Sequence, residues 1–229
     1  MIPLYFPLLF VFLLFSCNKN EHFSSLKTGE TLHYDIKFID KEKKTKTFKQ
    51  SYFLYETSPK LLTFLRNDGK LVYYEKLDEG LSLKEANYVY SSLVDLPNEK
   101  LFFENNNTLL KFPLKEGTKW ENNDQTTLVM KLGYDRIFKT LLPIKIKSEI
   151  IKVDDVVKIN DKTFKDCIKI ESEGTTSWNP GPPQKPINIK VTEKFWYSTK
   201  YGLVKLIREE KSDSETMGQI FYEKSLKLN

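Results

Sequence analysis

Cysteine, histidine and arginine are scarce in this 229-residue chain, and each shortage closes a route. The two cysteines, Cys17 and Cys167, are too few for a disulfide framework, and the two histidines, His22 and His33, give no local support for a zinc triad or a Ser-His-Asp relay. Arg66, Arg136 and Arg208 are the only arginines, so the cations are overwhelmingly lysines, hydrated point charges and not the planar forks that read phosphates and base edges. Those lysines are interleaved with 31 acidic residues, so a formal net charge of +5 describes a solvated surface, and nucleic acid is not expected as a partner. The densest run, Lys41, Lys43, Lys44, Lys46 and Lys49, contains Glu42 and lies between two strand-like segments. It reads as a solvated hairpin, with an anionic-lipid or polysaccharide patch as the alternative. Gly-x-Ser-x-Gly elbows, His-Glu-x-x-His helices, dinucleotide-type glycine turns and phosphate loops are all missing. Asp154-Asp155 and Glu209-Glu210 are adjacent carboxylates, but neighbours on a strand point to opposite faces, which suits turns and edges better than acid/base pairing. No catalytic residue, metal ligand or cofactor is therefore expected.

Charge is also missing from the first sixteen residues, and Ile2 to Phe15 is one apolar run. Such a run is short for a membrane span and the right length for the core of an export signal. Leu13-Leu14-Phe15-Ser16-Cys17 resembles the lipobox of bacterial lipoproteins. The resemblance implies cleavage before Cys17, a diacylglyceryl thioether on its sulfur, and acylation of the new amine. Cys17 is then a lipidation site through which the protein meets a membrane. Asn18, and not Asp, follows it, which in the lipoprotein sorting pattern implies the outer membrane of a bacterial envelope. The expected organisation is a lipoprotein signal peptide over 1–16, a polar tether over 17–29 and an antiparallel β-domain over 30–229. The alternative is a plain secretory signal or uncleaved anchor in which Cys17 is incidental. Cys167, in the strand-like Thr163–Ile170, reads as a small buried hydrophobe.

From Thr31 onward, short runs with a period of two are broken by turn residues every eight to fifteen positions or so, the spacing of an all-β sandwich or barrel. Tyr34, Ile36 and Phe38 share one face, as do Ile144, Ile146, Ser148 and Ile150, and Ile187 to Val191 alternates cleanly. Asn67-Asp68-Gly69 is the strongest hairpin signal. Asp78-Glu79-Gly80, Asn105-Asn106-Asn107, Asn160-Asp161 and Glu173-Gly174 continue the series of turns. Turns so close together leave no room for crossover helices, so the fold class is all-β: a single curved antiparallel sheet of about eleven or twelve strands forming a half-open or closed barrel, with little helix. Asp135–Leu142 is the exception, with one or two helical turns expected. Trp178 to Pro186 holds four prolines, which lack the backbone donor of a ladder, and reads as a long loop with Trp178 folded over the barrel end or offered to a partner.

Three segments, Leu110–Trp120, Lys162–Ile170 and Phe195–Lys205, resemble the recurring pattern of exported bacterial β-proteins, the TapB-like and related domains of unknown function. In that group a turn followed by Trp, a Thr-Phe-x-Asp strand and an aromatic-Tyr to Gly-Leu-Val-Lys strand pair occur in this order. The likeness covers roughly 108–210. It implies architecture akin to the half-open barrels of periplasmic lipoprotein carriers, and it transfers no catalytic residue. Two roles follow for the domain, both non-catalytic. One is a curved sheet that holds a hydrophobic ligand or an envelope component, with Tyr74, Tyr90, Phe103, Trp178 and Trp196 as candidate contacts. The other is a protein-interaction module with a filled core. Cavity volume separates them.

Overall fold

The computed structural model describes residues 25–87, 103–126, 128–132, 136–139, 142–179, 181, 185–215 and 217–228. Fourteen strands occur among them: β1 (Thr31–Ile39), β2 (Thr45–Thr57), β3 (Leu61–Arg66), β4 (Lys70–Leu77), β5 (Gly80–Asn87), β6 (Phe103–Lys111), β7 (Lys119–Gln125), β8 (Val129–Leu132), β9 (Arg136–Lys139), β10 (Pro143–Ile159), β11 (Lys162–Trp178), β12 (Ile187–Ser198), β13 (Gly202–Ser212) and β14 (Gln219–Lys227). Twelve form one antiparallel sheet in the order β6-β5-β4-β3-β2-β1-β14-β13-β12-β11-β10-β7, and β8-β9 is a separate hairpin. No helix occurs among the described residues.

The pleat sorts the side chains as the alternation predicts. Tyr34 and Ile36 are buried, as are Ile144, Ile146, Ser148 and Ile150 along β10 and Ile189 and Val191 along β12. Facing them outward are lysine–carboxylate pairs such as Lys119–Glu149 at 3.2 Å, Lys145–Glu121 at 3.3 Å and Lys190–Glu173 at 3.3 Å. Exposed pairs of this kind add little stability.

Several turns fall where expected. Gly69 has φ 84° in the β3–β4 turn, and Arg66 clamps Asp68 there with two hydrogen bonds, Nε to Oδ1 at 2.7 Å and Nη2 to Oδ2 at 2.6 Å. Asp40 to Lys44 form the β1–β2 connection, and β11 ends at Trp178, with the described residues 179, 181, 185 and 186 outside any strand before β12 starts at Ile187. Three expectations are corrected. Arg136–Lys139, inside the stretch expected to be helical, is strand β9 paired with β8: a segment this short closes too few i to i−4 bonds to hold a helix when a strand partner is at hand. Asn105 to Asn107 lie within β6, where Glu85, Lys84 and Leu83 of β5 pair with them and satisfy a backbone that would otherwise turn. Glu173-Gly174 sits inside the seventeen-residue β11. Gly174 is there for closeness, not for a turn, because a Cβ would stand 2.5 Å from the carbonyl oxygen of Lys145.

β10 and β11 outrun the sheet. Register shifts between Ile150 and Val157, with positive φ at Asp154, Asn160 and Asp166, bend their hairpin. The bend brings Val157, Ile159, Phe164 and Cys167 into one cluster with Tyr34, Tyr52 and Phe64. Cys167 is fully buried, and burial, with Asp155 and Asp166 nearby, pushes its thiol up to about 11, so it packs as an inert hydrophobe.

Candidate functional site

The interior is layered. One apolar layer holds Leu81, Leu110, Trp120, Ile150, Ile170 and Phe195, and another holds Leu128, Ile144, Ile146, Ile189, Val191 and Ile220. Between them, two residues further along the same inward parity, lie charges. Ser148 and Ser172 face each other across β10 and β11 with their hydroxyls 2.8 Å apart, and beside them sits the Arg208 guanidinium. Arg208 donates from Nε to Glu210 Oε1 at 2.8 Å, from Nη1 to Glu193 Oε1 at 2.8 Å and to Asp124 Oδ2 at 2.5 Å, and from Nη2 to the carbonyl of Gln125 at 2.8 Å. β13 and β7 are separated in the sheet by β12, β11 and β10, so these bonds brace the barrel across its width.

One cation meets three carboxylates, and Glu210 is fully buried. Burial drives the Glu193 carboxyl above its ordinary value; Arg208 opposes the rise, while Asp124 and Glu210 add to it. Burial works against the Arg208 charge, but the three carboxylates outweigh it and hold the guanidinium firmly ionised. Chemically the cluster is a brace, with every guanidinium nitrogen engaged.

The sheet ends at β6 and β7, and these two edges meet through side chains. Asn122 presents its carboxamide to Thr108 like a strand: Thr108 N–H donates to Asn122 Oδ1 at 2.9 Å, and Asn122 Nδ2 donates to the Thr108 carbonyl at 2.8 Å. The Trp120 indole N–H donates to the same carbonyl at 2.8 Å.

Aromatic rings line the opposite wall. Tyr34, Tyr52, Phe64 and Tyr74 meet edge to face in series, with centroids 5.3, 6.3 and 5.6 Å apart. Behind the first two lies the buried Lys224, its ammonium 4.5 Å from the Tyr34 ring centre and 4.1 Å from that of Tyr52, donating to the Tyr52 hydroxyl at 2.5 Å. The apolar space that these rings bound has a volume of only about 10 Å³. Larger depressions are open grooves, such as one of about 640 Å³ over β7, β10, β11 and β12, lined by Lys119, Glu121, Lys147, Glu149 and Lys194 together with Ile151.

The candidate contacts do not converge. Tyr74 does line the aromatic wall. Trp178 ends β11 and packs on the layer of Ile144 and Ile189, folded onto the barrel end. Trp196 is half-buried against the cluster that holds Val157, Phe164 and Cys167, by register between Lys169 and Lys205, and its indole N–H donates to Asp155 Oδ2 at 2.9 Å. That bond clasps the bent hairpin to β12 and gives Trp196 a packing duty. Burial would raise the Asp155 carboxyl, but the Trp196 and Lys152 bonds outweigh it and leave it lowered. Only the backbone of Phe103 is described, at the start of β6, and Tyr90 and Cys17 lie outside the described residues.

Arg208, Glu193, Asp124 and Asn122 are not site candidates in the sequence analysis, and Glu210 enters it only as one of two adjacent carboxylates. Their signal is parity: Trp120, Asn122 and Asp124, then Val191, Glu193 and Phe195, then Leu206, Arg208 and Glu210 each keep the inward phase while switching from apolar to polar.

No protein-family model matches the chain, and no curated protein matches it. The likeness of 108–210 to the TapB-like group therefore goes no further than the motifs that carry it. Among solved structures, a candidate lipoprotein from Parabacteroides distasonis is similar at 14% identity over 88% of this chain and 97% of that one, with a TM-score of 0.40. At that score the likeness carries no inference about this chain, whose all-β, barrel-shaped architecture stands on its own strand pairings.

Proposed function

We propose that this is a lipid-anchored, non-catalytic protein of the bacterial cell envelope, held at the outer membrane through Cys17, whose barrel works as a protein-interaction module with a filled interior. The observation that carries the choice between a carrier and a module is volume. Pockets for small apolar ligands hold about 300–1,000 Å³, whereas the aromatic-walled space here holds about 10 Å³. Interior positions that a carrier would leave open are occupied by the Arg208 brace and by Trp120 and Phe195. The lipobox-like Leu13 to Cys17 supports the anchor, and the mixed charges of the outward grooves support binding at the surface.

Native mass spectrometry of the Cys17→Ser protein purified from its own host tests the reading. The expected result is a ligand-free mass, together with movement of the protein from the membrane to the soluble fraction. Reproducible co-purification of a lipid would overturn the filled-module assignment. Labelled palmitate entering Cys17→Ser as well as it enters the unaltered chain would overturn the anchor.

A further inference from the structure

Residues 25–30 precede the first strand and lie across the barrel end at which β12 turns into β13. Ser25 Oγ donates to the carbonyl of Lys200 at 3.1 Å, Gly29 N–H donates to the carbonyl of Leu54 at 2.9 Å, and Leu54 N–H donates to that of Glu30 at 2.8 Å. Between these fixed points Leu26 packs against the core and lines the small aromatic-walled cavity with Tyr34, Tyr52, Phe64, Tyr74 and Tyr197. Those five rings stand on β1, β2, β3, β4 and β12, each laddered to a strand on both sides. Leu26 alone among these six comes from a short segment outside the sheet. The rings of the wall stand on paired strands, and Leu26 does not.

We propose that this barrel mouth is a self-occupied binding site, in which Leu26 takes the place of the end of an aliphatic chain belonging to an anionic amphiphile. The goodness of fit is chemical. The wall is apolar and aromatic, and the cavity left by a leucine side chain suits a few methylenes, not a whole lipid. A ring of tyrosines would ordinarily invite a quaternary ammonium, but the Lys224 ammonium already sits against the Tyr34 and Tyr52 rings, so a second cation there meets repulsion. An anionic head instead has two exposed lysines at hand, Lys27 next to Leu26 in the chain and Lys200 in the turn whose carbonyl holds Ser25. This goes beyond the filled-module reading, which concerns the closed state, and it does not depend on lipidation of Cys17.

The test is titration of full-length Cys17→Ser, with and without Leu26→Ala, against 1-anilinonaphthalene-8-sulfonate, followed by competition with laurate and with dodecyltrimethylammonium. Leu26→Ala is expected to keep a cooperative melt and to bind the dye at one saturable site at least about tenfold more tightly than its parent, a gap equal to 1.4 kcal/mol, with laurate and not the cationic amphiphile displacing it. Leu228→Ala, which thins the same cluster without lining the cavity, is expected to bind no dye. A folded Leu26→Ala without saturable binding, equal binding by the parent or by Leu228→Ala, or displacement by the cationic amphiphile would each overturn the proposal. Should Leu26→Ala fail to fold, hydrogen exchange on the parent decides: laurate is expected to accelerate exchange at Gly29 and Leu54, and an unchanged rate overturns it.

Discussion

Two junctions turn this sheet into a barrel, and they are built differently. β1 and β14, from opposite ends of the chain, join through a ladder of seven paired residues, His33 with Lys227 to Ile39 with Phe221. β6 and β7, neighbours in sequence, meet instead through the carboxamide of Asn122 and the indole of Trp120, both on Thr108. Nearness along the chain therefore does not decide which strands ladder. What decides it here is how each edge satisfies its donors and acceptors: one by main chain along its length, the other, among the described residues, by two side chains at Thr108.

Changes at the thin junction should cost far more than changes at the thick one. Trp120→Ala removes a buried ring and a bond to Thr108, and chemical denaturation should show a loss of about 3–5 kcal/mol. Asn122→Ala strands the Thr108 N–H and should cost about 1–3 kcal/mol, with hydrogen exchange at Thr108 accelerating while the β1 amides keep their protection. Equal acceleration at both places would show that the junctions open together and erase the distinction.

Glu193→Gln sharpens the contrast, because the Arg208 brace is what ties β7 to the far wall. A carboxyl whose folded value is raised binds its proton more tightly in the folded state. Its contribution is whole below the ordinary glutamate value of about 4.3 and declines as pH climbs through the raised value. Thermal melts of the parent should therefore lose stability across that window, and the glutamine variant should show a flatter profile. At the thick junction, Lys37→Ala alters an outward side chain on β1 and should stay within about 0.5 kcal/mol of the parent.

Much of the architecture was legible because it is written in period-two alternation, which needs no knowledge of partners. The inward faces of β1, β10 and β12, the Asp68-Gly69 turn and the end of β11 at Trp178 all follow from local chemistry. The sheet order does not, since which strand lies beside β7 depends on where β10 starts after the β8–β9 hairpin. Nor was the charged layer read. Glu210 was weighed as one of two adjacent carboxylates, when its telling neighbour is Arg208, two positions back on the same face. Gly174 was read as a turn because a glycine demanded by a close neighbour and one demanded by a positive φ look alike in sequence. The aromatic candidates fail to converge because tyrosine and tryptophan serve packing as readily as recognition, and nothing local separates Tyr74, which lines the small cavity, from Trp196, which packs under the bent hairpin.

The place of β1 in the sheet has a mechanical consequence. A rope tied to an outermost strand can peel it away one bond after another, each yielding in turn under a small force. Here tension arriving through Ser25 reaches a strand flanked on both sides, by β2 and by β14, and must slide it past both neighbours at once. Opening the barrel by pulling on Ser25 would be harder than prising it apart at Thr108.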